Sequence, residues 1–539
     1  VTPRAIATLF IDLALVGLCA CNGARTSVSE HRVPAYVQPA STGVGGVAGG
    51  STVVVLGGSG GAVASNPSST ETGGAATSTG SAAGATGLGG AAAIGGATVN
   101  GGGSSETRAG SSGILDAGGD ASSDAATGIE LNGAPLVSAP TKAGFTLNAA
   151  VARGNPQALV ARIRAQGSQS WQSATGPSLP APDIAQWTFT GLQAGQRHEY
   201  QLIDVEQAGT VLYSGSMITQ RDPGEGFTFA VLTDSHIEPP DAVYTGGYPE
   251  QTLRAVARDV GSAQPDFLIN MGDMLDFHYF GFNAAPATKA FARSAYLRYR
   301  KAFGDTLGNT AHFAVVGNWE GEDGFHSAEE IDRSRSQRLL YLPGPTPTTY
   351  PQSGSGAQDY YAFTWGDALF VVLNVVTYTL TPHLLSSNPG VPDDWTLGAA
   401  QMAWLRQTLE NATSKWRFLF IHHTVGGAAG DFDNSAYGRG GGQAARVGEQ
   451  SVVHDLMLAH GVQIFFYGHD HVFTDMVVDG IHYTLPGSSG APWKFTASET
   501  GYTTFWTESG FGRVEVGPAA VNVQFVAAGG GVIHEYRLQ

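Results

Sequence analysis

Five short motifs in the second half of the chain gather side chains that bind metal ions. They are Asp234-x-His236, Gly272-Asp273, Gly317-Asn318, His422-His423 and Gly468-His469-Asp470-His471. Every donor among them is nitrogen or oxygen. The two cysteines, Cys19 and Cys21, sit near the N-terminus, so no thiolate joins the set. Such donors suit Mn, Fe, Zn or Co and do not choose among them. Asp and His two residues apart can point at one ion. Each motif alone says little, because Asp-x-His and Gly-Asp also occur in ordinary turns. Their order along the chain is far more specific.

Each motif closes a short apolar run. In 227–236, Phe227, Phe229, Val231 and Leu232 read as a strand buried on both faces, with Asp234 and His236 just past its carboxyl end. Runs at 267–271, 313–316, 369–373, 416–421 and 463–467 read the same way. They end in Gly272-Asp273, Gly317-Asn318-Trp319-Glu320, Asn374, His422-His423 and Gly468-His469-Asp470-His471. Leu253, Val256, Ala257 and Val260 follow the i, i+3, i+4, i+7 rule of a helix, and Met402, Leu405 and Leu409 mark another. Alternating strands and helices predict parallel packing, which brings the polar ends to one side of the sheet, the edge where α/β proteins bind ligands. Polar groups buried together there need a partner, and a pair of metal ions satisfies them. Glycine before three of the motifs lets the backbone approach a ligand closely.

In order, Asp-x-His, Gly-Asp, Gly-Asn, His and Gly-His-x-His across 227–490 resemble the calcineurin-like metallophosphoesterase family. The resemblance implies an α/β fold, a four-layer αββα sandwich, and a phosphatase or phosphodiesterase acting on a small-molecule phosphate ester. It implies two transition-metal ions. Asp234, His236 and His471 would hold the first, Asn318, His422 and His469 the second, and Asp273 would bridge them. His422 is preferred to His423 because the family's ligand is the first residue after the strand. A hydroxide bridging the ions would attack phosphorus in line while the ions neutralise the phosphoryl oxygens. Asp273 and Asn318 thereby count as catalytic. Two positions depart from the family. Trp319 stands where the family has a histidine that assists the leaving group, and His423, His326 and His278 are the available stand-ins. Three residues after Asp273, where the purple acid phosphatases place a tyrosine, stands Asp276, which implies a colourless enzyme. Arg439, in the glycine-rich 437–441 stretch, could grip a phosphate with two hydrogen bonds. Trp319 also motivates a second reading, a degenerate relative that binds metal or ligand with little turnover.

The 539 residues exceed one ordinary domain. A formal net charge of −17, with 28 Lys+Arg, leaves no bulk electrostatic footprint for DNA or RNA. Residues 1–21 place Arg4 before an apolar run that carries Asp12 and is too short to span a membrane. They resemble a bacterial lipoprotein signal. Leu18 and Ala20 stand three and one residues before Cys21, which makes Cys21 the expected lipidation site. The protein is then exported and lipid-anchored to the outer membrane or cell surface, touching membrane only through that anchor. Residues 22–132 are rich in Gly, Ser and Ala and cannot bury enough apolar area to offset chain entropy, so they read as a disordered linker. From 133 to 222, short alternating runs between turn signals predict an all-β sandwich. Its Leu192-x-x-Gly195-x-x-x-x-Tyr200 turn resembles a fibronectin type III module. Residues 223–539 are left as the catalytic domain.

Overall fold

The structure is a computed structural model and describes residues 128–240, 245–277, 285–380, 395–426, 437–440 and 448–539. All lie in the second of the chain's two compact units, 115–539. Cys21, the signal segment, the linker up to residue 127, and His278 fall outside the described residues. The first strand, Glu130–Leu131, begins inside the stretch expected to be linker. Among the described residues, no helix is long and apolar enough to cross a membrane.

Residues 130–218 are mostly strands. Glu130–Leu131, Leu136–Thr141, Gly144–Arg153, Ser178–Ala181 and Ile184–Thr190 make a five-stranded sheet. Gln172–Ser173, Leu159–Ala165, Arg197–Asp204 and Thr210–Ile218 make a four-stranded one. Period-2 alternation is clearest in Arg197–Asp204, where His198, Tyr200, Leu202 and Asp204 are buried and the residues between them partly exposed.

The remainder is built on two six-stranded sheets. The first runs Ala311–Ala314, Phe267–Asn270, Phe227–Leu232, Gly510–Val516, Val521–Ala527, Val532–Leu538. Its first three strands are parallel and the last three antiparallel. The second runs Tyr361–Trp365, Ala368–Val372, Trp416–Phe420, Ile464–Phe466, Ile481–Pro486, Phe473–Val478, with four parallel strands at its centre. Alternation along each strand then divides the core. Phe227, Phe229 and Val231 face an inner layer that also holds Phe267, Phe363, Phe370 and Phe418. There Phe229 stacks on Phe267 at 5.3 Å and meets Phe370 edge-on at 5.1 Å, pairs worth about 0.5–1.5 kcal/mol each beyond their burial. Ala230 and Leu232 face outward onto Leu253, Val256, Ala257 and Val260 of helix Tyr248–Ala263. Leu369, Val371 and Leu419 of the second sheet face Leu405 and Leu409 of helix Gly398–Glu410 and Val453 and Met457 of helix Glu449–Ala459. Helix, sheet, sheet, helix is the expected four-layer metallophosphoesterase arrangement. The polar strand ends therefore come from two stacked sheets and not from one.

Residues 285–310 and 322–358, to which the sequence reading assigned no element, contain helices Lys289–Phe303 and Ala328–Tyr341. The first is a bracket between modules. Its fully buried Arg300 donates through Nη1 to Asn148 Oδ1 (2.7 Å) and through Nη2 to the Asn148 carbonyl (2.8 Å). Just beyond that helix, the Gly308 carbonyl accepts from buried Tyr200 Oη at 2.6 Å.

Candidate metal centre

The first sheet supplies Asp234, His236, Asp273 and Asn318, and the second supplies His422, His469 and His471. All seven are buried. After Leu232 and Asn270 the two parallel strands stay in register. Met271 N donates to Leu232 O, Asp234 N to Gly272 O, and His236 N to Asp273 O. The ladder thus continues into the loops, but its dihedrals change. Asp234 (φ 52°), His236 (47°), Asp273 (50°), His469 (75°) and His471 (57°) all adopt the left-handed region. For side chains with a Cβ this costs of order 1–3 kcal/mol each, and it persists only where surroundings enforce it. The turn it makes aims Asp234 and His236 at one point although only one residue separates them.

Two donor clusters result. Asp234, His236, Asp273 and His471 present ligand atoms all within 4.8 Å of one another, and so do Asp273, His422 and His469. Asp273 belongs to both. Backbone carbonyls set the histidine tautomers. His422 Nδ1 lies 2.9 Å from Met271 O, and His471 Nδ1 lies 3.1 Å from Trp493 O. A carbonyl only accepts, so each Nδ1 carries the proton, and in the neutral ring Nε2 presents a lone pair. His422 Nε2 faces Asp273 Oδ2 at 3.1 Å. His471 Nε2 faces Asp234 Oδ1 at 3.3 Å and His236 Nε2 at 3.1 Å. Lone pairs converging in a buried site fit a bound cation.

The ionisation preferences show the same crowding. Burial pushes the Asp273 carboxyl up and His236 well down, and His471 beside His236 adds to its fall. Burial also opposes charging Asp234 and His422, but neighbours outweigh it. His471, His422 and His236 hold Asp234 below the carboxylate range, and Asp273 and Asp234 push His422 up to about 9.

Asn318 is buried between two residues that hug Asp273. Trp319 N donates to Asp273 Oδ1 at 2.9 Å, and a Cβ on Gly317 would run into Asp273 Oδ1 and its amide. His423 is buried with its ring centroid 4.4 Å from His469 and 4.4 Å from Trp395. His326 lies in the loop after Trp319, with Nε2 3.9 Å from Asp323 Oδ2. Asn374 closes its own turn, accepting from Val376 N and donating to Asp359. Arg439 is held behind the histidines. Its Nη1 donates to the His469 carbonyl (3.0 Å) and Asp470 Oδ1 (3.3 Å), and its guanidinium covers Phe495 at 3.5 Å. These bonds brace the Gly468–His471 turn.

The sequence reading assigned no role to Glu320. Its buried carboxylate accepts from Gly317 N (2.6 Å), Asp273 N (3.1 Å), Met274 N (2.6 Å) and Leu275 N (3.3 Å), locking two ligand loops together. Burial and then the Asp273 charge push it up to about 8. The segment after strand Ile481–Pro486 also went unread. Ser489 N and Oγ donate to Thr233 O at 2.8 Å each, and Ala491 N donates to Asp234 O at 2.9 Å. Its signal was another strand closing on Gly487 and two serines.

A family model described as Calcineurin-like phosphoesterase matches residues 227–473. That stretch of the chain is thus similar to calcineurin-like phosphoesterases. Among solved structures, PhoD is similar at 14% identity and a TM-score of 0.58, covering 76% of this chain and 90% of that one. GAP50, the anchor in the inner membrane complex of Plasmodium, is 14% identical with a TM-score of 0.35, covering 58% of this chain and 89% of its own. No curated protein matches the sequence. The PhoD likeness establishes the α/β metallophosphoesterase fold, and the residues of the site supply the chemistry.

Proposed function

We propose that this domain hydrolyses small phosphate esters at a dinuclear centre of transition-metal ions, Mn, Fe, Zn or Co. The observation that supports it is the sharing of Asp273 by two buried donor clusters. Asp234, His236 and His471 serve the first ion, Asn318, His422 and His469 the second, and Asp273 both. Bound there, the pair would supply positive charge for the phosphoryl oxygens and a nucleophile at neutral pH. The chain's own part is to keep His422 and His471 in the Nδ1-protonated tautomer, hold Asp273 through Trp319 N, and exclude bulk water by burial. Trp319 has no proton to give a departing alkoxide. His423, packed on His469, is our choice for that role, and Arg439 stiffens the turn that carries His469 and His471.

We also propose that the protein is exported and lipid-anchored through Cys21, with residues 130–218 bracing the catalytic domain. Palmitate labelling that survives in Cys21→Ser would count against that anchor. For the hydrolase, the full-length protein is stripped with chelator and assayed on aryl phosphate mono- and diesters, with and without Mn²⁺. Hydrolysis restored by the ion is expected. Two bound ions with no turnover on any ester would favour a degenerate binding protein, the reading that Trp319 motivates.

A further inference from the structure

His236 lies between two tryptophans. Trp319 meets its ring edge-on at 5.6 Å, and Trp493 lies at 5.0 Å with a 60° tilt. Trp493 also covers His471 at 5.5 Å, and Phe495 packs on His471 at 5.2 Å. His236 is fully buried beneath this cover, whereas Trp319, Trp493 and Phe495 each keep part of their surface open to solvent. Aromatic rings thus form the boundary between the first donor cluster and the outside.

The wall is anchored at both ends. Trp493 follows the segment sewn to Thr233 and Asp234 by Ser489 and Ala491, and a Cβ on Gly490 would strike the Ser235 carbonyl. That segment cannot shift without moving the Asp234 loop. Phe495 is pinned by Arg439, itself tied to Asp470 and the His469 carbonyl. Trp319 is fixed by its amide on Asp273. Rigid, partly exposed indole rings beside a charged site give stacking surface at little entropic cost.

We propose that Trp319 and Trp493 form an aromatic wall that selects phosphate esters whose retained group is a planar aromatic ring, gripped beside the first donor cluster. This rests on the phosphoester reading above and names the substrate class for that site. The Trp493 contribution is separable from metal ligation, because His471 Nδ1 bonds the main-chain carbonyl of residue 493 and not its ring.

The test uses full-length protein loaded with Mn²⁺ and two diesters, phenyl 4-nitrophenyl phosphate and methyl 4-nitrophenyl phosphate. They share a leaving group and differ only in the group that stays behind. The phenyl diester should be favoured in kcat/KM by about tenfold, in line with one aromatic stacking contact. Trp493→Leu and Trp319→Leu should each lower the phenyl-to-methyl ratio about fivefold, and Trp493→Phe should keep it within about twofold. Calorimetry with phenylphosphonate and methylphosphonate gives a readout independent of turnover, with the phenyl compound bound more tightly in a Trp493-dependent way. Unchanged ratios in both Leu variants and equal phosphonate affinities would overturn the wall and leave hydrolysis standing. Absence of hydrolysis alongside Trp493-dependent preference for phenylphosphonate would overturn the hydrolase reading and leave the wall. Loss of both hydrolysis and preference would overturn the two together.

Discussion

Glu320 shows how a single buried carboxyl group can tie together two of the loops that carry the candidate metal-binding residues. Four backbone amides from the Asp273 and Asn318 loops converge on it in the interior. Leaving a buried donor unpaired costs about 1–3 kcal/mol. Glu320→Ala should therefore lower unfolding free energy by about 3 kcal/mol or more, and Glu320→Gln, which keeps the shape, by about half that. Urea titration of both variants checks this, and stabilities indistinguishable from the wild type would remove Glu320 from the account. The candidate metal-binding residues were legible because each is hydrophilic and closes an apolar run. Glu320 was visible as part of Gly317-Asn318-Trp319-Glu320, but its partners are main-chain amides, which carry no sequence signature. The partners of Arg439 were hidden for a related reason. A Gly-rich neighbourhood suggests a loop reaching for substrate, and nothing local reveals Asp470 and Phe495 behind it.

At the level of elements, a buried hydrogen-bond chain ties the edge of the first sheet to the site. His312 Nε2 accepts from Tyr299 Oη (2.9 Å), Asn270 Nδ2 donates to Tyr299 Oη (2.9 Å) and to Ser235 Oγ (3.2 Å), and Ser235 Oγ pairs with Ser489 Oγ (2.8 Å). His312 must be neutral to accept. Burial, and then the charge of Arg300, lower it to about 3. The unfolded value is higher, about 6.5, so the unfolded chain takes up the proton first. The His312 contribution is complete above about pH 6.5 and is lost as pH falls from there toward 3. Between pH 7 and pH 5, wild type should lose roughly 2 kcal/mol more than His312→Gln, at about 1.4 kcal/mol per unit. Parallel stability curves for the two proteins across that range would contradict it. Helices Tyr248–Ala263 and Gly398–Glu410 were readable in advance from their apolar spacing. Helix Ala328–Tyr341 was not, because its buried face is polar. Ser334, Gln337 and Arg338 point inward, and Arg338 pairs with buried Glu322 at 2.6 Å, so no apolar stripe marks it.

For the whole molecule, the β module and the catalytic domain share apolar packing as well as buried polar links. Arg300 is one of those links, and burial lowers it to about 10. Arg300→Met should strand the Asn148 carbonyl and amide oxygens, cost about 3 kcal/mol, and split thermal unfolding into two steps. One unshifted transition would show that the modules are coupled elsewhere. The role proposed for the Asp273 carboxylate is to join two metal sites that both sheets build. It is tested by the metal content of full-length protein and of Asp273→Ala after equilibration with Mn²⁺. Two ions per chain in the wild type and neither retained in the variant is the expected result. A variant that keeps one fully occupied ion and undiminished ester hydrolysis would contradict it.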